Sequence, residues 1–287
     1  MTRFIHDQFA KDYLETLLEP FGNVKSPRRV SAEAQQIDVW FEPTRDHLAG
    51  LNELGCLGRM AATPSIFEPF RNPVTADEIG DCLLKWLLVK GECKRQARRN
   101  GISFSLEKVP KLWILTPTAS SALLSGVNAV SDPNELPGFY TLGASWKTTI
   151  IAIHQLPRRQ ETLWLRVLGR DRIQTEAIDE LETLSADNPF RQQALELLYT
   201  LRKNLEWNQE LEPEDQELIM RLAPLYQQER EQLKKEAEQR GEERGMAMAK
   251  REVAQNLLSK GMSIEEIAEL TGLSAEQVTE IRNSHSD

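Results

Sequence analysis

The sequence predicts an α/β protein in which helices flank a mixed sheet, followed by an all-helical C-terminal region. Three observations lead to this fold class. Segments rich in β-branched and aromatic residues alternate with amphipathic helical segments over residues 1–172. From residue 173 onward the pattern is helical throughout. The chain has 287 residues, of which 40% are hydrophobic and 28% charged, a composition typical of globular proteins with a substantial core.

The first four elements follow the order helix, strand, helix, strand. Apolar side chains spaced four residues apart predict a helix over residues 4–18. A run of β-branched and aromatic residues predicts a strand over residues 35–41. A Leu- and Ala-rich stretch predicts a short helix over residues 48–62, and residues 65–70 are expected to form a second short strand between two prolines.

A long amphipathic helix is predicted from Thr75 to Arg99. Thr75 and Glu78 have the spacing of a capping box, in which each residue satisfies a backbone N–H of the first turn. Basic side chains at the far end suit the negative end of the helix dipole, and they are candidates for contact with nucleic-acid phosphates. These candidates are Lys94, Arg95, Arg98 and Arg99. The competing interpretation is a solvated face that pairs with acidic residues elsewhere in the chain.

The remaining elements complete the sheet and begin the helical region. Strands are predicted over residues 111–116, 138–142 and 148–156. Residues 161–169 and 172–183 are predicted to be helical. Because strands and helices interleave in this order, we expect a mixed sheet covered by helices.

Charge and composition divide the chain into four segments. Residues 1–172 hold 22 basic and 19 acidic side chains and form the α/β domain, where any polyanion is expected to bind. So small an excess is equally compatible with no electrostatic role. Residues 173–228, with 4 basic and 12 acidic side chains, form an acidic helical region. Residues 229–252 form a charged linker helix without the apolar seam of a coiled coil, and residues 253–287 form a C-terminal helical hairpin.

The hairpin is specified by two capping boxes, Ser263 with Glu266 and Ser274 with Gln277. Two short helices joined by a tight turn at Gly272 follow from this spacing. A helix-turn-helix would have its recognition helix begin at Ser274. That helix exposes more acidic than basic side chains, which repels a phosphate backbone. The sequence therefore favours protein contact or self-association by the hairpin, with DNA binding as the alternative.

Several classes of protein are disfavoured by what the sequence lacks. Three cysteines without a CxxC pair argue against a disulfide framework or a zinc ribbon. The N-terminus has no apolar signal-peptide centre, and the longest apolar stretch is too short to span a membrane. We therefore expect a cytoplasmic protein without membrane contact. Gly-rich phosphate loops and the GxSxG elbow are absent, which removes the main support for kinases, dehydrogenases and α/β-hydrolases.

Two carboxylates stand out because apolar residues surround them in strand-like segments. Asp38 lies between Ile37 and Val39, and Glu68 lies between Phe67 and Phe70. Burying a carboxylate is costly unless it binds a metal, a cation or backbone donors. Carboxylates on adjacent strands can share one Mg²⁺, which would activate a water for phosphodiester cleavage. The alternative is two edge-strand carboxylates that face solvent or pair with arginines.

The order of these elements resembles a known superfamily. The helix FIHDQFAKDYLETLL, the strands QQIDVWF and SIFEPF and the long helix that follows are similar to the PD-(D/E)XK nucleases. More closely, they resemble the Rpn family of recombination-promoting nucleases and transposases, in a form similar to cyanobacterial members. The resemblance covers roughly residues 1–170, and the tail LLSKGMSIEEIAELTGLSAEQVTEIR resembles the C-terminus of many proteins of that family. It implies a mixed-sheet nuclease core and Mg²⁺-dependent cleavage of DNA in recombination or transposition.

The resemblance assigns Asp38 as a metal-binding aspartate and Glu68 as the acidic member of the (D/E)xK motif, both catalytic. The motif needs a basic residue two positions after the acid, because alternate strand residues share a face. That position holds Phe70 in this chain. A bulge that turns Arg71 inward, or the migration of a cation such as Lys85 from the long helix, would supply the missing charge.

Two further side chains on the first helix, Lys11 and Glu15, are auxiliary candidates, as is Arg71. Lys11 and Glu15 lie one turn apart on one face, where ordinary surface positions are the competing explanation. The leading hypothesis is a Mg²⁺-dependent DNA endonuclease that binds DNA through its N-terminal domain. The alternative is a non-catalytic DNA-associated or protein-interaction module on the same fold. A transcriptional regulator that acts through the hairpin is a third.

Overall fold

The computed structural model describes residues 2–29, 36–133, 135–207 and 213–283. The chain divides into two compact units, Met1–Leu222 and Ala223–Asp287. The predicted α/β class is confirmed, since the first unit contains a mixed seven-stranded sheet with helices packed against it. The finer division into four segments, with boundaries after residues 172, 228 and 252, stays a prediction.

The sheet combines antiparallel edges with a parallel centre. Its strand order is β1-β4-β5-β6-β9-β8-β7, with β5, β6 and β9 parallel and the outer pairs antiparallel. A separate two-stranded sheet pairs β2 with β3. The strands are β1 (Gly22–Lys25), β2 (Arg28–Arg29), β3 (Gln36–Ile37), β4 (Val39–Pro43), β5 (Ser65–Pro69), β6 (Lys111–Thr116), β7 (Val130–Ser131), β8 (Phe139–Thr141) and β9 (Thr148–Ala152).

Helices precede, connect and follow these strands. The α-helices are α1 (Thr2–Leu18), α2 (Gly55–Met60), α3 (Ala76–Arg99), α4 (Ser121–Gly126), α5 (Leu163–Arg166), α6 (Asp171–Thr183), α7 (Arg191–Glu206), α8 (Pro213–Ser259), α9 (Ile264–Thr271) and α10 (Ala275–Asn283). The predicted linker helix over residues 229–252 lies inside α8, and the division between the two units also falls within α8. No helix in the described ranges is both long and apolar enough to cross a membrane.

The core of the first unit lies between the sheet and α3. Ile79, Cys82 and Trp86 of α3 are buried in one cluster with Ile66 of β5 and Ile114 of β6. The Trp86 indole N–H donates to the Pro110 carbonyl oxygen at 2.9 Å, so the one polar group of this large buried side chain has a hydrogen-bond partner. The capping box predicted at Thr75 and Glu78 is present at the start of α3.

Helix α1 packs against α7 and against strands β4 and β5. Tyr13, Leu14 and Leu17 are fully buried, as the four-residue spacing of apolar side chains predicts. The Tyr13 hydroxyl donates to the Trp164 carbonyl oxygen at 3.0 Å, which ties α1 to α5. Two helical layers, α3 and α1, therefore hold β5 and fix the side chains that β5 projects.

The predicted strand over residues 35–41 is interrupted, and this corrects the sequence analysis. Residue 35 lies outside the described residues, and Asp38 forms a bend between β3 and β4. The partner segment breaks at the same level, because Ser26 and Pro27 separate β1 from β2. The Ser26 hydroxyl donates to the Asp38 carbonyl oxygen at 2.9 Å. Asp38 therefore does not follow the alternation of a regular strand, and its side chain is free to turn toward β5.

Other element boundaries also differ from the predictions. The helix predicted over residues 48–62 is a 3-10 helix, Arg45–Leu54, followed by α2. The strand predicted to reach residue 156 ends at Ala152, where Ile153–Gln155 form a 3-10 turn and the His154 N–H donates to the Pro117 carbonyl oxygen at 2.9 Å. The helix predicted over residues 161–169 is a 3-10 turn followed by the short α5.

The second unit ends in the predicted hairpin of α9 and α10. Ala254 near the end of α8 shares a small buried cluster with Ile267 of α9 and with Val278 and Ile281 of α10. The Ser263 capping box is present, and Gly272 ends α9 in the left-handed conformation that glycine adopts without strain. The two short helices and the tight turn between them agree with the sequence analysis.

Candidate active site and C-terminal domain

Asp38 and Glu68 meet where β4 begins and β5 ends. The antiparallel register pairs Val39 with Phe67, so the residues just beyond this pair, Asp38 and Glu68, are neighbours across the two strands. The Asp38 backbone N–H lies 3.4 Å from Glu68 Oε1 and donates to it. The break at Asp38 and the end of β5 thus bring together two acids that are thirty positions apart in the sequence.

Glu68 is almost completely buried, with an exposed fraction of 1%. It shares the α3-facing side of β5 with Ile66, as strand alternation requires. Burial, followed by the negative charge of Asp38, raises the pKa of Glu68 to about 8, against the opposing effect of Lys85. A carboxylate in this environment is ionised at neutral pH only when additional positive charge is close by.

A lysine lies against each of the two carboxylates. Lys11 Nζ of α1 is 2.8 Å from Asp38 Oδ1, and both side chains are half-buried. Lys85 Nζ of α3 donates to Glu68 Oε2 at 2.6 Å. Burial lowers the pKa of Lys85, but the charge and hydrogen bond of Glu68 outweigh burial and raise it overall. Lys85 therefore keeps its proton at neutral pH and acts as a hydrogen-bond donor and a positive charge.

These four side chains open into a cavity of about 260 Å³ between α1, β5 and α3. Carboxylates predominate among its charged lining residues, and only two ammonium groups oppose them. The lining residues are Asp7, Lys11, Asp38, Glu68, Pro69, Phe70, Glu78, Asp81, Cys82 and Lys85. The excess of negative charge makes the cavity attractive to cations.

The residues after Glu68 divide between the two faces of the sheet. Phe70 is half-buried against the α3-side core, and its N–H donates to the Leu115 carbonyl oxygen at 2.8 Å. Arg71 turns away from Glu68 and lies 3.3 Å from Asp215 Oδ1, where His6 Nε2 also contacts Asp215 at 2.7 Å. The structure therefore brings Lys85, and not Arg71, to the acid of the motif.

The other predicted candidates lie at the edges of the site or beyond it. Glu15 lies one turn beyond Lys11 on α1. Burial raises the pKa of Glu15, followed by the charges of Asp12 and Glu19. The basic candidates at the end of α3 are exposed to solvent, and Lys94 Nζ lies 5.2 Å from the centroid of the Phe104 ring. Arg95 is ten residues beyond Lys85, which corresponds to about 15 Å along the helix.

The cavity offers carboxylate oxygens, the donors that Mg²⁺ prefers. Among the residues that the structure describes, no group of three or more His, Cys, Asp or Glu side chains is arranged to hold a metal. Asp38 and Glu68 nevertheless supply two hard oxygen donors, and Mg²⁺ is commonly held by one or two carboxylates together with waters and substrate phosphates. The cost of burying Glu68 next to Asp38 is what a divalent cation would offset. The residues therefore fit Mg²⁺ with a minimal protein ligand set.

Sequence reasoning missed three acidic residues that line the cavity, Asp7, Glu78 and Asp81. A helical signal for them existed. Asp7 lies one turn before Lys11, and Asp81 lies one turn before Lys85, so each shares a helix face with a lysine of the site. These two helix faces could be recognised only once Lys11 was known to contact Asp38 and Lys85 to contact Glu68.

Comparison with known proteins was informative for the C-terminal unit. A family model described as the C-terminal HTH domain of the Rpn/YhgA-like nuclease family matches residues 248–283. This C-terminal segment is therefore similar to the HTH domain that ends Rpn/YhgA-like nucleases. No curated protein and no solved structure was found to match. The match supports the resemblance to the Rpn family that the sequence analysis found for the tail, while the likeness to cyanobacterial members stays a prediction.

The match to an Rpn/YhgA-like C-terminal domain bears on the interpretation of both units. The mixed sheet with flanking helices is consistent with a PD-(D/E)XK-like fold, and the family description indicates a function of the nuclease or transposase type. The matched segment covers the end of α8 together with α9 and α10, and a helix-turn-helix assignment indicates DNA binding. DNA binding, the alternative for the hairpin in the sequence analysis, thus gains support over protein contact or self-association, which stay predictions.

Proposed function

We propose that the first unit of this Rpn/YhgA-like protein is a Mg²⁺-dependent DNA endonuclease whose active site consists of Asp38, Glu68 and Lys85. The observation that carries this proposal is the convergence of two carboxylates and one ammonium group in a single open cavity. The cation of the family motif would come from α3, because Phe70 occupies the usual position on the strand. The cavity joins α1, β5 and α3, so its geometry depends on the packed core.

Asp38 and Glu68 would hold the metal ion. When bound, Mg²⁺ polarises a phosphate oxygen and lowers the pKa of a coordinated water. Lys85 stays protonated beside Glu68, so it is suited to orient a water or to stabilise negative charge on the phosphate, and not to abstract a proton. Lys11 neutralises Asp38 and keeps its carboxylate directed into the cavity.

DNA would contact the protein at two places. At the exposed basic end of α3, Lys94 and Arg99 offer positive charge to phosphates, which gives affinity without sequence preference. The helix-turn-helix of the C-terminal unit offers a second contact, with α10 as the recognition helix. A role in recombination or transposition is part of the same proposal, as is a cytoplasmic location.

A non-catalytic module is the second candidate, and two observations favour it. Each carboxylate of the site already has an ammonium partner, so the cluster is satisfied without a metal ion. Phe70 also replaces the basic residue that the strand motif normally supplies. In this case the fold would bind DNA or protein without cutting.

Cleavage of supercoiled plasmid DNA in the presence and absence of Mg²⁺ separates the two candidates. We expect nicking by the unmodified protein with Mg²⁺, and none after chelation with EDTA. Asp38→Ala and Glu68→Ala should each abolish it, whereas Glu15→Ala, which changes a carboxylate one turn from Lys11, should not. If the unmodified protein binds the plasmid but never cuts it, the non-catalytic candidate is correct. If both alanine variants still cut, the site assignment is wrong.

A further inference from the structure

Helix α3 carries an apolar stripe on the side that faces away from the sheet. Leu84 and Leu87 have exposed fractions of 45% and 42%, and Leu88 beside Leu84 on the helix surface is half-buried. Gly80 and Gly91 lie one turn before and one turn after these leucines on the same face, since a helix repeats every 3.6 residues. The inner face of α3, around Trp86, is buried in the core, so α3 is apolar on two sides.

The two ends of this stripe carry opposite charges. Asp77 and Asp81 lie on the stripe in the first turns of α3, whereas Arg95 and Arg98 lie on it in the last turns, and all four are exposed. The midpoint between Asp77 and Arg98, and between Asp81 and Arg95, falls close to Leu87. The stripe is therefore acidic, then apolar, then basic, about a centre at the leucines.

The glycines favour close approach by another helix. A Cβ atom at Gly80 would meet nothing within 4 Å, and one at Gly91 would meet only the flexible end of Arg95 at 3.4 Å. Packing within the chain therefore does not require glycine at either position. Glycine in a helix interior costs about 1 kcal/mol relative to alanine, but it allows another backbone to approach closely.

We propose that α3 binds α3 of a second copy of this chain, in an antiparallel pair about a two-fold axis near Leu87. In this arrangement Asp81 of each copy faces Arg95 of the other, and Asp77 faces Arg98. The same patch serves both copies, as the isologous contact of a two-fold dimer requires. The exposed leucines then pack against one another at the centre.

Charge complementarity selects a second copy over other occupants. A parallel pair would place like charges together at both ends. A nucleic acid or another polyanion would match the arginine end and be repelled by Asp77 and Asp81 at the other. An antiparallel copy of the same helix satisfies both ends at once.

The dimer stands independently of the proposed function, and only its catalytic consequence rests on it. Lys85 is two residues from the centre of the stripe, which is about 3 Å along the helix axis. The dimer therefore places two candidate active sites on either side of one two-fold axis, an arrangement suited to cutting both strands of a duplex.

Sedimentation velocity of the full chain tests the dimer without reference to activity. We expect twice the monomer mass of 32.8 kDa for the unmodified protein, and the monomer mass for the Leu84→Glu/Leu87→Glu variant. Ile102→Glu, at a 50% exposed apolar residue off the stripe, is the matched control and should remain dimeric. Circular dichroism verifies that each variant is folded. A monomeric unmodified protein, or a dimer that survives the double leucine variant, would overturn the proposal.

Charge exchange tests the antiparallel geometry, and it does not depend on the leucine variants. Asp81→Arg and Arg95→Asp should each weaken the dimer by about tenfold or more in Kd, because like charges then face each other. The double variant again places opposite charges at positions 81 and 95, with their signs exchanged, so its Kd for dimerisation should return close to that of the unmodified protein. If the two losses of dimer affinity instead add up in the double variant, Asp81 does not pair with Arg95, even if the chain dimerises through another surface.

Discussion

Replacing Lys85 with methionine removes the ammonium group beside Glu68 and retains an unbranched side chain. Glu68 is 1% exposed and Lys85 Nζ lies 2.6 Å from its Oε2, so the pair is desolvated on the Glu68 side. Removing one partner of a buried ion pair costs about 3–5 kcal/mol of unfolding free energy when the other partner stays charged. Glu68 can avoid this cost by taking up a proton, because its pKa is already about 8.

The loss of stability should therefore depend on pH. The folded-state pKa of Glu68 lies above its ordinary value of 4.5, so the stability that protonated Glu68 contributes is complete below about pH 4.5 and is lost as the pH rises through about 8. Without Lys85 the pKa of Glu68 rises further, and the loss continues above pH 8. The difference between the two proteins should grow by about 1.4 kcal/mol between pH 8 and pH 9.

Urea unfolding at pH 6 and pH 9 in the presence of EDTA measures this difference. We expect nearly equal unfolding free energies at pH 6, and a Lys85→Met variant that is clearly less stable at pH 9. The double variant Lys85→Met/Glu68→Gln has no carboxylate to titrate and should lose the pH dependence. An equal loss of stability at both pH values would refute the reasoning, because the effect would then come from packing and not from the charge of Glu68.

Three further predictions concern regions outside the cavity. Burial lowers the pKa of His6 below 6.5, so the unmodified protein should lose stability as the pH falls below 6.5. Urea unfolding should show a smaller drop in unfolding free energy between pH 7.5 and pH 5.5 for His6→Gln than for the unmodified protein. Trp86→Ala should cost about 3–5 kcal/mol in the same measurement, because Trp86 is fully buried in the core; Trp207→Ala, at an 87% exposed residue, should change the unfolding free energy by less than about 0.5 kcal/mol. Arg99→Ala should weaken binding to duplex DNA regardless of its sequence and reduce the slope of log affinity against log salt by about 0.9, whereas the surface variant Arg172→Ala should not.

Much of the fold followed from the sequence, because its main elements carry strong periodic signals. The helices α1 and α3 and the strand β6 have long apolar patterns, and α3 also has its capping box. The strand β1, Gly22–Lys25, was missed because Val24 is its one large apolar side chain and tertiary pairing with β4 decides its conformation. The strand β9 ends early at a 3-10 turn whose His154 N–H bonds Pro117 on another segment, and periodicity within β9 does not reveal such a contact.

The site was predicted in part for a similar reason. Asp38 and Glu68 were recognisable because an acid within an apolar strand-like segment demands a partner, and the structure makes them neighbours. The sequence did not decide whether Lys85 or Arg71 supplies the positive charge beside Glu68. The strand β5 ends at Pro69, and beyond it Arg71 turns to Asp215, which is 144 positions away in the sequence.

Isothermal titration of the purified chain with MgCl₂ at pH 8.5 tests the central claim that Asp38 and Glu68 together hold a divalent cation. The account predicts one Mg²⁺ per chain, with binding lost in Asp38→Asn and in Glu68→Gln and retained in the control Glu15→Gln. Binding of Mg²⁺ with the same stoichiometry and affinity in all four proteins would contradict it.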